Sequence, residues 1–422
     1  MSLTFAGVIA LLLIGMPLGM AFALAIMVSA DAFNLSLASL GSIPYETISV
    51  FPLLAIPLFL LVGEIMNRGG LAQALTALCS RVLFFLPARM GHIVVAASGM
   101  MGAMTGSSVA TVAAIGATVG PHMTERGYRP AYSASLISAA GLLGVLIPPS
   151  IPLILYGSLV GVSIPQLFMA TLVPGLVMAL AFFIVHAMRA RHVLADGRET
   201  DSASGVADRL DKGKATSSLL LPVIVLGGIY SGLVTPTEAA AVAVMYTGAV
   251  AWLGRSLSFQ QFGPILISTA KSSAAILTII ALTSIFNRAL ILNQIPQDIA
   301  AFAVSMTDNW IIFLIGVNLI LLLIGMIMET NAAVLLMGPL LAPAAERFGI
   351  DPVHFGIILV TNIELGLLTP PLAANVFVAA RTLNVDMVRM IPHLLWFVLA
   401  ALVVLAMVTF IPELSLWYRY LG

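Results

Sequence analysis

Glu329 is the only acid between Asp308 and Glu346, and it stands beside Thr330 and Asn331 in an apolar stretch. A second polar island, Thr105, Gly106, Ser107, Ser108 and Thr111, interrupts another apolar stretch. These side chains offer oxygen lone pairs and one carboxylate. That is chemistry for holding a hard cation such as Na⁺, or for orienting an anion, rather than for breaking bonds. An intramembrane carboxylate is by default a cation ligand or proton carrier; its alternative is an acid snorkelling from a helix end. The six histidines show no metal-ligand spacing, and Cys79 is the only cysteine, so a transition-metal centre or disulfide framework has no basis. No Walker, His-Glu-x-x-His or Gly-x-Ser-x-Gly pattern is present, so ATP-driven and hydrolytic chemistry are unsupported. An enzyme is not expected.

Each island precedes a pair of adjacent prolines, Pro148-Pro149 and Pro370-Pro371, inside an apolar run. Two prolines remove two N–H donors and clash with the preceding carbonyls, so the helix must open. Carbonyls freed around Gly144–Ile147 and Gly366–Thr369 each cost several kcal/mol in hydrocarbon unless satisfied. Na⁺ is a suitable partner for them; a kink satisfied by neighbouring helices is the structural alternative. The marks themselves are duplicated: Gly116, Pro121, Gly127, Pro130, Gly144, Pro148 and Pro149 recur at constant offset as Gly338, Pro343, Gly349, Pro352, Gly366, Pro370 and Pro371. Paired interruptions in two halves of a hydrophobic chain point to a transporter's binding site.

The elements that must position these residues are membrane helices. Hydrophobic residues make up 60% of 422 positions and charged ones 9%, too few to cover a water-facing surface. Nearly every window of about 20 residues can span a bilayer. The net charge of zero gives no case for nucleic acid. Residues 3–30 lack the basic start of a signal peptide and read as the first span. The expected class is an all-α polytopic membrane protein of about 10–12 segments, with two re-entrant hairpins and two broken helices in an inverted repeat.

The expected division is an N-terminal repeat over 1–188, a linker over 189–217 and a C-terminal repeat over 218–422. Six of the 18 basic residues lie in the linker, including Arg198, Arg209 and Lys212, which places it in the cytoplasm. The first half holds spans near 3–30 and 48–66, an interfacial helix near 69–87, a span near 90–103, a hairpin over 102–125, a broken helix over 130–162 and a span near 166–188. Small residues at the hairpin tip equally suit a tight helix crossing. The second half holds segments near 217–232, 237–254, 264–290 and 310–327, a hairpin over 325–348, a broken helix over 353–383 and a span near 391–411. Four segments then separate the linker from the second hairpin, whereas inversion demands an odd number. A region broken at Thr235 to Glu238 within 217–254 is the favoured remedy.

The stretches IPLFLLVG (56–63), TGSSVAT (105–111), IPPSI (147–151), GIYSGLVTPTE (228–238) and LTPP (368–371) resemble the large membrane subunit, DctM type, of tripartite ATP-independent periplasmic (TRAP) transporters. Together they cover almost the whole length. The resemblance implies an elevator-type ion transporter fold in the bacterial inner membrane, embedded in lipid. It also implies a small four-helix membrane subunit as a separate chain, and a periplasmic substrate-binding protein delivering an organic acid, a C4-dicarboxylate or sialic acid among them. Uptake would be coupled to Na⁺.

Carried over by position, a first Na⁺ site uses Ser107, Ser108, Gly144, Ile147 and Pro148. A second uses Gly325, Thr330, Asn331, Gly366, Thr369 and Pro370. The substrate would meet Thr111, Pro149, Ser150, Glu329, Pro371 and Asn375, with Ser150 and Asn375 converging where half-helix N-termini meet. The family often has Asp where this chain has Glu329. A stand-alone dicarboxylate/Na⁺ symporter is the alternative within the same class; a channel is the alternative outside it.

Overall fold

The computed structural model describes residues 2–33, 35–194 and 212–420. Among these residues the chain is helical without β-strands; one isolated bridge joins Tyr128 and Leu194. Helices are the form that satisfies every backbone group inside lipid. Seven are long and apolar enough to cross a membrane. The other membrane-depth elements are shorter or broken, so 10–12 counts elements rather than continuous spans. Residues 195–211 of the expected linker lie outside the described residues. The helix before them runs over Ile164–Val193 and the one after begins at Lys212.

The first span is not one helix. Ser2–Leu13 and Leu18–Val28 are separated by Gly15, at φ 87°, and Pro17. They fold back on each other, so that the Thr4 hydroxyl donates to the Ser29 hydroxyl at 3.0 Å. Hydropathy alone reads through such a turn because its flanks are apolar.

The two repeats correspond element by element. Each has a helix leading in (Ala55–Arg68; Phe259–Leu292) and then a 12-residue helix (Leu71–Val82; Ile295–Met306). A hairpin follows (Arg89–Thr105 with Ser108–Glu125; Trp310–Ile327 with Thr330–Arg347). Next comes the broken helix (Pro130–Ala140 and Ile151–Val160; Pro352–Gly366 and Ala374–Leu383), and last a closing helix (Ile164–Val193; Met387–Phe410). Ile295–Met306 escaped the sequence reading because Gln297 and Asp298 dilute its apolar face. At about 1.5 Å per residue it spans roughly 18 Å, too short to cross.

Both hairpins begin earlier than expected. The segments read as separate spans near 90–103 and 310–327 are their first arms, so the hairpins cover 89–125 and 310–347. Lys212–Tyr230, Pro236–Leu253 and Phe259–Leu292 are the three helices left between the linker and the second repeat's short helix, and three crossings there would meet the odd number that inversion demands. The 217–254 region is not a broken helix. It is two helices packed together across a turn, the second starting at a capping box. There the Thr235 hydroxyl accepts the Glu238 N–H at 3.3 Å and the Glu238 carboxylate accepts the Thr235 N–H at 2.8 Å.

The repeats interlock. The second arm of hairpin 1 packs on Ala374–Leu383, and the second arm of hairpin 2 packs on Ile151–Val160. The duplicated glycines make this possible: a Cβ on Gly116 would stand 3.0 Å from Thr382, and one on Gly338 would stand 3.3 Å from Tyr156. The Tyr156 hydroxyl then bonds the Pro352 carbonyl at 2.8 Å. In the first repeat a buried Tyr132–His186 hydrogen bond of 2.7 Å ties the broken helix to its closing helix.

Candidate functional site

At the tip of hairpin 1, Gly106 turns the chain at φ 61°. Ser107 is extended and caps the second arm, its hydroxyl accepting the Ala110 N–H at 3.4 Å. The Thr111 hydroxyl donates to the Ser107 carbonyl at 2.9 Å and lies 3.0 Å from the Thr105 hydroxyl. This knot faces Gly144, where a Cβ would stand 2.5 Å from the Thr111 hydroxyl and 2.7 Å from the Ser107 carbonyl. Gly102 lies as tightly against Leu143 and Gly144. The Ile151 N–H donates to the Gly106 carbonyl at 3.3 Å, tying the tip to the reopened helix.

Hairpin 2 repeats the construction with different side chains. Glu329 caps the second arm through the N–H groups of Asn331 and Ala332, at 3.0 and 3.3 Å, and accepts the Asn331 amide at 2.6 Å. Gly325 and Gly366 are in backbone contact, the counterpart of Gly102 and Gly144. The Leu372 N–H donates to the Met326 carbonyl at 2.9 Å. Both Pro-Pro bonds are cis. Pro148 and Pro149 are buried, whereas Pro370 and Pro371 are exposed.

The two tips meet at one cavity of about 50 Å³, lined by Ser107, Ser108, Glu329, Thr330, Asn331 and Glu364 among others. Glu364 is buried, and its carboxylate accepts the Thr330 hydroxyl at 2.8 Å. The available signal for Glu364 in the sequence was its place two residues before the marked Gly366. Glu329 is exposed at this cavity, so capping and cavity lining are both its roles. A neighbouring cavity of about 140 Å³ shares Leu60 and is lined by Glu64, Asn67, Thr105, Ser268 and Thr269. The polar run Ser268, Thr269, Ser272, Ser273 on one long helix could have flagged it.

Other expected residues sit elsewhere. Thr111, Pro149, Ser150, Pro371 and Asn375 do not line the tip cavity. Thr111 is spent on shaping hairpin 1. Ser150 and Asn375 are fully buried, with Asn375 packed beside Gly141, and neither lines the tip cavity. Each reopened helix starts beside its own tip and runs on against the other repeat's hairpin. The Gly366 carbonyl is not free: it accepts both the N–H (2.9 Å) and the hydroxyl (3.1 Å) of Thr369. The Leu146 carbonyl accepts the Thr171 hydroxyl at 3.0 Å. Ile147 packs against the first arm of hairpin 1 near Gly99.

Hydroxyls, carbonyls and isolated carboxylates are hard oxygen donors suited to Na⁺. Among the described residues no three His, Cys, Asp or Glu side chains gather as they would for a transition metal.

The family model of the tripartite ATP-independent periplasmic transporter, DctM component, matches residues 5–414. The chain belongs to the DctM family. It is the large membrane subunit of a TRAP transporter, not an enzyme, and a multi-pass protein of the bacterial inner membrane. Among DctM relatives, the C4-dicarboxylate TRAP transporter large permease protein DctM of Pseudomonas aeruginosa is 38% identical, over 90% of this chain and 89% of that one. The sialic acid TRAP transporter large permease protein SiaM of Vibrio cholerae is 31% identical, over 97% and 96%. The isethionate TRAP transporter permease protein DctMQ of Oleidesulfovibrio alaskensis is 35% identical over 96% of this chain, which spans only 64% of that longer protein. The Alcanivorax borkumensis YdaH transporter shares the fold, with a TM-score of 0.65 at 15% identity over 88% of both chains.

Proposed function

We propose that this DctM subunit couples Na⁺ influx to the uptake of a small organic acid. The acid would be delivered by a periplasmic binding protein, with a small four-helix membrane subunit completing the complex. The observation that carries this reading is the meeting of two hairpin tips, each seated on its own broken helix by a glycine pair, at a single oxygen-lined cavity. Na⁺ held by Ser107, Ser108, Gly144, Ile147 and Pro148 on one side would fix the tips for the anion. Gly325, Thr330, Asn331, Gly366, Thr369 and Pro370 would do the same on the other side. Hairpins and broken helices form the part that moves, and Ala55–Arg68 with Phe259–Leu292 form the scaffold. Relatives named for C4-dicarboxylates, sialic acid and isethionate support an organic anion as cargo.

In proteoliposomes holding the full complex, an inward Na⁺ gradient should drive uptake only with loaded binding protein present. Ser108→Ala and Asn331→Ala should each abolish Na⁺-dependent uptake while the protein folds. Unchanged uptake in both variants removes the site assignment, and uptake without the binding protein indicates a stand-alone symporter.

A further inference from the structure

The tip cavity holds two carboxyl side chains that neither of the two tip sites uses. Glu329 and Glu364 both line it, from different elements, and no Lys, Arg or His does. Glu364 is 1% exposed. One of its oxygens accepts the Thr330 hydroxyl at 2.8 Å, but Oε2 has no hydrogen-bond partner. Asn331 is held the same way: its amide nitrogen donates to Glu329 at 2.6 Å, and its Oδ1 has no partner. Each side chain is thus fixed by one atom, and its other, buried acceptor is left without a partner in the wall of the cavity. The Ser107 and Ser108 hydroxyls reach the same space from the opposite repeat.

Two carboxylates without a counter-charge are disfavoured at low dielectric, and a buried acceptor left unpaired costs about 1–3 kcal/mol. A donor group or a cation resolves both problems. A proton on one carboxyl would satisfy one oxygen and leave the amide oxygen bare. A small monovalent cation satisfies both, since hard cations take several oxygen ligands at once. The cavity, at about 50 Å³, has room for such an ion with a water.

We propose that Glu364, Glu329, Asn331 and the two tip serines form a third Na⁺ position, bridging the two repeats rather than lying within either. It rests on the Na⁺-coupled reading above and shares Ser107, Ser108 and Asn331 with the two sites given there, but it adds the Glu329 and Glu364 carboxyls and draws on hairpin 1, hairpin 2 and broken helix 2 together. Its occupation joins the tips, so a cation at one is felt at the other. It also neutralises the cavity before an anionic cargo arrives.

The test is the Na⁺ dependence of melting temperature for the purified complex, at constant ionic strength with choline chloride as the balancing salt. Ligand that binds only the folded state raises stability with the logarithm of its concentration, in proportion to the number of ions bound. Wild type should show a steepness of three ions, and E364Q about a third less. E364D keeps the charge on a shorter side chain. It should keep the wild-type steepness but need several-fold more Na⁺, and it serves as the deciding variant if E364Q does not fold. A wild-type protein stabilised by Na⁺ with E364Q equally steep, or with E364D matching wild type in Na⁺ requirement, overturns the third position alone. A wild type with no Na⁺-specific stabilisation overturns both this position and the coupling it rests on.

Discussion

Four glycines set how closely each hairpin can sit on its broken helix. Gly102 and Gly144 do so in one repeat, Gly325 and Gly366 in the other, and in each pair the backbones touch where a side chain would stand. Gly144→Ala puts a methyl against the Thr111 hydroxyl and Ser107 carbonyl, which costs about 1–3 kcal/mol through overpacking. A lower melting temperature and weaker Na⁺-dependent uptake are expected. Gly227→Ala is the control. It lies in the helix Lys212–Tyr230 with nothing within 4 Å of the added carbon, so it should be neutral or stabilising by up to about 1 kcal/mol. The importance of Gly144 and Gly366 was legible in the sequence because they were duplicated. Glu364 was legible only by its place before Gly366, and its partner was not, because Thr330 lies on another element 34 residues away along the chain.

At the level of elements, most of the order was readable from apolar runs and Pro-Pro breaks. The misplaced span boundaries share one cause. Hydropathy does not register a reversal made by a residue or two between apolar flanks, so the turn at Gly15 vanished into one span, and the hairpin arms ending at Thr105 and Ile327 were taken for separate crossings. With those arms restored, Lys212–Tyr230, Pro236–Leu253 and Phe259–Leu292 separate the linker from the second repeat's short helix, and three crossings there would put the copies in opposite orientation. Equivalent positions should then face opposite sides of the membrane. Gln166 and Arg389 are such a pair, both exposed near the start of a closing helix. Single cysteines at these two places, in a Cys79→Ala background, should react with a membrane-impermeant maleimide from opposite faces. Labelling from one face would refute the inversion.

For the whole molecule, the proposed cycle requires hairpin 1 to slide along the scaffold helix Ala55–Arg68. Gly63 on that helix lies against Thr105 near the tip: a Cβ built on Gly63 is 3.7 Å from that of Thr105, within the usual disulfide range of about 3.5–4.5 Å. Gly63→Cys with Thr105→Cys, again without Cys79, should crosslink on oxidation. Uptake should stop, and reductant should restore it to the level of the unoxidised double variant. Transport that survives complete crosslinking would rule out this sliding motion.

The interlock of the repeats has a consequence for each half taken alone. Hairpin 1 is backed by the reopened helix of the second repeat, and hairpin 2 by that of the first. One repeat alone would offer an arm and a reopened helix that have no mates in its own chain. Two copies inserted head-to-tail would supply them to each other. Neither half, expressed without the other, is then expected to hold this arrangement.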